Sequence, residues 1–212
     1  MPTVTSEPQR HRTQAERSAA TRVRLLDATI DCLVELGWSG TSTTEVVRRA
    51  GVSRGAQVHH YPTKEDLVVA AVEHLCSRRM AEYRTTLERL PASERTPAAS
   101  IDLLWSIWSG PPLEAWLELI VACRTRPALR ARFVELEHRF FDAAVALFRE
   151  TQPEMAGDPE FARMALRFTF CLLDGLALAR LGGIDRADLD GVVEGFKVLT
   201  TVLTPTDLGA NQ

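Results

Sequence analysis

Gly37, Gly51 and Pro62 leave the first sixty residues of this chain little conformational choice. Before Gly37, the apolar residues Val23, Leu26, Ile30, Leu33 and Val34 recur every three or four positions, the period of one helix face. Gly37 then takes the left-handed conformation that ends such a helix. In "SGTSTTEVVRRAG", Ser42 or Thr43 caps a second helix, Glu45 suits its first turn, and Val46, Val47 and Ala50 form its apolar side. Gly51 ends it. Ser53 caps a third helix that must stop near His60, because Pro62 disfavours helical backbone at Tyr61. Thr63 caps a fourth, with Lys64, Glu65 and Asp66 in its first turn. It continues through Leu67, Val68, Ala71 and Leu75 to about Leu90. Short helices around a tight turn form a helix-turn-helix arrangement over about residues 42–61.

The same period runs through the remainder, and alternating β-branched runs are absent. "LPASERTP" (90–97) reads as a loop. The next helix carries Ile101, Leu104, Trp105 and Trp108, and stops at "SGPP". Pro111 and Pro112 can start another, with Leu113, Trp116, Leu117, Ile120 and Val121. A long helix after Pro127 holds Leu129, Phe133, Leu136, Phe140, Ala144 and Leu147. Beyond the loop 151–159 come helices at about 159–181 and 187–204, split by "GGID". The expected fold is all-α with about nine helices. Its parts are a polar, disordered arm (1–17), a helix-turn-helix domain (18–79), a helical body (80–204) and a disordered tail (205–212).

The third helix carries Arg54, Gln57, His59 and His60, a load unsuited to a core because unpaired polar groups cost free energy on burial. A DNA major groove accepts them. Arg bonds guanine edges and Gln adenine edges, while His and Lys reach phosphates. Gly55 leaves room for close approach. Charge agrees in sign: residues 1–64 hold nine Lys or Arg against six Asp or Glu, while the rest holds sixteen against twenty-two. Metal binding by His59 and His60 is disfavoured, since adjacent helical residues point apart. His60 fits either DNA contact or packing against the fourth helix. Lys64, a cation at a helix N-terminus, wants a partner, and a phosphate is one.

From about Ala20 to Arg79 the chain resembles the DNA-binding domain of TetR-family bacterial transcriptional regulators. The matching pieces are "RLLDATIDCLVELGWSGTSTTEVVRRAGVS" and "HHYPTKEDL", the second closing on aromatic–x–x–Lys from Tyr61 to Lys64. The resemblance implies phosphate contacts from Thr43 and Thr44. It places Arg54, Gly55 and Ala56 towards bases, and His59, His60 and Lys64 towards the DNA backbone. One departure stands out: members often carry Leu-Tyr where this chain has Gln57-Val58. Val58 there could meet a thymine methyl, and the two residues become candidate determinants of base preference.

In the body, Trp105, Trp108, Trp116, Phe140, Cys171 and Asp174 are candidate walls of an effector cavity. The competing reading makes the aromatics plain core and Asp174 a surface or capping carboxylate. The last two helices are apolar on more than one face, which asks for a second copy of the chain. Phe168, Leu172, Leu178, Val192, Phe196 and Leu199 are the candidate contacts of a homodimer reading palindromic double-stranded DNA. The resemblance implies a repressor released by a small apolar or amphipathic effector; an activator or an effector-independent binder of the same fold is the alternative.

An enzyme is not expected. No Ser-His-Asp order with its motifs, Gly-rich phosphate loop or metal-ligand cluster occurs, and no cofactor is implied. Cys32, Cys76, Cys123 and Cys171 are widely separated, as reduced thiols would be. No signal peptide or membrane span is legible, so a soluble cytoplasmic protein is expected.

Overall fold

Backbone capping accounts for most element boundaries in a computed structural model that describes residues 13–153 and 156–202. These residues form nine α-helices and one 3-10 turn, with no strand among them. Two compact units divide the chain after Ala71.

In the first unit, α1 spans Gln14–Gly40 and opens on a reciprocal cap. Thr13 Oγ1 accepts from the Glu16 N–H, and the Glu16 carboxylate accepts from the Thr13 N–H at 2.7 Å. Residues 14–17, expected in the disordered arm, are therefore helical; the arm's earlier part and the tail 205–212 lie outside the described residues. Gly37 leaves the helical path at φ 66° and ψ −178°, which is not the left-handed helical conformation expected there, and α1 runs on to Gly40. Ser42 caps α2 (Thr43–Ala50), and Gly51 closes it in the left-handed conformation at φ 61°. Ser53 caps α3 (Arg54–His60), which ends on extended Tyr61. Thr63 Oγ1 accepts from the Asp66 N–H at 3.0 Å to start α4 (Lys64–Arg89). Leu25, Leu26, Ile30, Leu33, Val46, Leu67 and Val68 are buried and form this unit's core. Val23 is exposed, because the buried stripe of α1 runs one position round, through Leu25 and Leu26.

The second unit holds the rest of α4 and five more helices: α5 (Pro97–Trp108), α6 (Pro111–Cys123), α7 (Pro127–Thr151), α8 (Pro159–Leu181) and α9 (Arg186–Val202). Proline occupies the first turn of α5 to α8, where its missing N–H has no helical partner to lose. The 3-10 turn Ala92–Glu94 sits in the connection before α5. Buried Gln152 donates to the Arg95 carbonyl (3.0 Å) and to Ser100 Oγ (3.1 Å), tying that connection to the end of α7. Neighbouring helices pack in the pairs α5·α9, α6·α7, α7·α8, α5·α8 and α8·α9. On α6 Leu113, Trp116 and Leu117 are buried as expected, and the structure corrects the rest of the face. Ala115 and Leu119 are buried, Val121 is exposed, and Ile120 is half-buried.

Candidate nucleic-acid interface and body cavity

The outer face of α3 shows Arg54, Gly55, Val58 and His59 exposed, with Ala56 and His60 half-buried. Gln57 does not join them. It is only 2% exposed, and its amide Nε2 donates to the Tyr61 carbonyl. It therefore satisfies a backbone acceptor freed where α3 stops, and it occupies the inward position that the usual Leu would fill. Gln57 as a base reader is corrected: the exposed set is Arg54, Gly55, Val58 and His59.

Around α3, the first turn of α2 presents Thr44 exposed and Thr43 half-buried. The basic pair on α2 is already engaged. Arg48 and Arg49 both hydrogen-bond Glu45, and Arg49 also reaches Glu35 at 2.7 Å. The hydrogen bonds from Arg48 and then Arg49 hold the Glu45 carboxyl down at about 2. Lys64 also has an internal partner: Nζ donates to the Trp38 carbonyl at 2.5 Å and lies 4.5 Å from the Trp38 ring centroid. The partner sought for this cation in DNA is present within the head. His60 is shifted below the ordinary histidine value, chiefly by burial, then by His59 and Arg22. Exposed Arg22 on α1 is thus a basic neighbour of α3 that motif reading passed over, since nothing in local sequence links positions 22 and 60.

In the second unit a cavity of about 310 Å³ lies among α4, α5, α7, α8 and α9. Part of its wall is an aromatic cluster. The Trp108 ring stacks on Phe140 (5.8 Å) and Phe170 (5.2 Å), and Phe148, Phe161, Phe168 and Phe196 add further wall. The polar lining groups are few and internally bonded. Thr169 Oγ1 donates to the Ala165 carbonyl and Thr200 Oγ1 to that of Lys197, both at 2.8 Å. Tyr83 is buried, which pushes its hydroxyl pKa up, and Arg79 pairs with Glu82 at 2.6 Å. Such a space suits an apolar molecule of moderate size.

Met164, Phe168 and Leu178 of α8 and Val192, Val198 and Leu199 of α9 are exposed, six large apolar side chains on two helices that pack together.

A family model described as "Bacterial regulatory proteins, tetR family" matches residues 25–71. An uncharacterized HTH-type transcriptional regulator of Mycobacterium tuberculosis is 30% identical over 198 residues, spanning 91% of this chain and 97% of that protein. The chain belongs to the tetR family. As a member, it is a DNA-binding transcriptional regulator with an N-terminal helix-turn-helix. The HTH-type regulator CymR of Pseudomonas putida is 36% identical over 121 residues, 57% of this chain and 60% of that protein. Among solved structures, a transcriptional regulator from Rhodococcus sp. Rha1 superimposes with TM-score 0.65 at 24% identity, covering 84% of this chain and 94% of its own. The multidrug binding protein EbrR, complexed with imidazole, gives TM-score 0.58 at 25% identity over 87% and 94% of the two chains.

Within this tetR-family body the expected sites separate. Trp108 and Phe140 line the large cavity. Trp116 lines a smaller void beside it. Trp105 does neither: its Nε1 donates to Asp190 Oδ1 at 2.8 Å inside the α5–α9 core. Asp174 accepts from Trp108 Nε1 at 2.9 Å, so it orients a wall residue from behind, and burial pushes its carboxyl pKa up. Cys171 is exposed on α8 and forms no part of the cavity wall. Of the expected contacts between copies, Phe168, Leu178, Val192 and Leu199 are exposed, and Leu172 is half-buried against a core cluster. Phe196 is buried and faces the cavity instead, because α9 turns that side of its surface towards α5. Among the described residues no helix is long and apolar enough to cross a membrane, and no three metal-ligating side chains cluster.

Proposed function

We propose that this tetR-family regulator is a dimeric repressor that leaves its operator when a small, largely apolar molecule enters the body cavity. The aromatic cavity carries this reading. A fold needing these helices only as scaffold would gain more dispersion energy by filling about 310 Å³ of apolar space with side chains. The structural likeness to the multidrug binding protein EbrR supports the same role.

In this reading Arg54, Gly55 and Val58 face bases, with Val58 offering apolar contact to a thymine methyl. Thr43, Thr44, His59, His60 and Arg22 hold phosphates. Lys64 sets the entry of α4 through Trp38 and lends its charge to the same backbone. The exposed apolar faces of α8 and α9 pair with those of a second copy, which places two α3 helices on a palindrome. Helix α4 carries Lys64 at its start and Arg79, Met80 and Tyr83 of the cavity wall further along. A ligand that prefers one setting of α4 shifts the population of DNA-competent dimers by its differential affinity.

The test is a gel shift on DNA upstream of the chain's own gene. Salt-sensitive, sequence-specific retention is expected, relieved by an apolar compound that also raises the melting temperature. Retention that no cavity ligand relieves would overturn the effector part of the reading.

A further inference from the structure

Trp116 is 6% exposed, and no described residue accepts a hydrogen bond from its indole N–H. A buried donor left without an acceptor is among the costliest polar arrangements in a core. The same side chain lines a second void of about 20 Å³. That volume admits a single oxygen-sized group and no larger molecule. The void is continuous in its walls with the large cavity, since Arg79, Ile107 and Trp108 line both. Phe140, a wall of the large cavity, has its ring 5.8 Å from that of Trp108 and 6.0 Å from that of Trp116.

The chemistry of the walls narrows the ligand. In the large cavity the hydroxyls of Thr169 and Thr200 are bonded to their own helix, and Ser100 Oγ accepts from Gln152. Arg79, at the junction, is already paired with Glu82. An ionised ligand would lose hydration without gaining a free counter-charge. A hydrocarbon would leave the Trp116 N–H as it stands. A neutral molecule with one acceptor oxygen on an apolar body fits both spaces.

We propose that the effector is an uncharged, ring-containing ketone, ester or similar carbonyl compound, whose oxygen enters the small void and accepts from Trp116 Nε1–H while its apolar body fills the aromatic cavity. This rests on the reading of the large cavity as the effector site.

Benzophenone and diphenylmethane test it, because they share two rings and differ in the carbonyl. By calorimetry on the full-length protein, benzophenone is expected to bind about tenfold more tightly than diphenylmethane, the size of one recovered hydrogen bond. W116F keeps an aromatic ring and removes the N–H, so the two probes should bind it equally. In wild-type protein labelled with ¹⁵N-tryptophan, one of four indole N–H signals, absent in W116F, should move downfield with benzophenone and stay with diphenylmethane. The resonance test stands even if W116F folds poorly. Equal wild-type binding of both probes, or a Trp116 signal that ignores the carbonyl, overturns the proposal and leaves the cavity reading intact. Binding of neither probe overturns both.

Discussion

At the scale of single residues, Gln57 and His60 separate what a motif position means from what the side chain does. Gln57 is buried with its amide on the Tyr61 carbonyl. Gln57→Ala should therefore cost about 1–3 kcal/mol of head stability, the penalty for a stranded buried acceptor plus a lost contact. Thermal melting would register that loss. Site selection on randomised operators should find the base preference of Gln57→Ala unchanged, whereas Arg54→Ala relaxes it at one position. His60 carries a different prediction. In the free head, burial, His59 and Arg22 disfavour its charged form. A neighbouring phosphate favours that form, so the bound value exceeds the free one and binding takes up protons. Operator affinity should rise as pH falls from about 8 to about 6, with His60→Gln flattening the dependence in fluorescence anisotropy titrations. Affinity that rises with pH would remove His60 from the phosphate contacts.

At the scale of elements, the turn between α2 and α3 stores its specificity in one backbone angle. Gly51 sits at φ 61°, and a Cβ built there meets nothing within 4 Å. Any cost of Gly51→Ala is thus conformational, about 1 kcal/mol, and a denaturant midpoint measures it. A loss well above this would mean that the turn is held by contacts instead. These breaks were readable from sequence because each acts within a few residues. Ser42, Ser53 and Thr63 cap amides three positions on, and Pro62 restricts the residue before it. Which side of a helix is buried was less readable. On α6 the hydrophobic run covers nearly the whole circumference, so Ile120 and Val121 could not be told from Ala115 and Leu119 until α7 lay against them.

At the scale of the whole molecule, the exposed apolar residues of α8 and α9 predict the assembly state. Leu178 is 52% exposed, so Leu178→Glu should leave monomer stability nearly unchanged while placing like charges across a two-fold contact. Light scattering after size exclusion should report a monomer, and operator affinity should fall by at least tenfold as the two half-sites lose their link. A variant that stays dimeric would move the interface elsewhere. The TetR resemblance, the helix-turn-helix and the outward Arg54 followed from chain-local chemistry, since capping, left-handed glycine and proline act over a handful of bonds. Tertiary structure alone assigned the four tryptophans and the last phenylalanine. Trp105 meets Asp190, 85 residues away. Trp108 meets Asp174, 66 residues away. Phe196 turns into the cavity instead of out towards a partner. Whether an aromatic ring becomes core, cavity wall or interface depends on which distant helix covers it, and helical periodicity records only that it is covered.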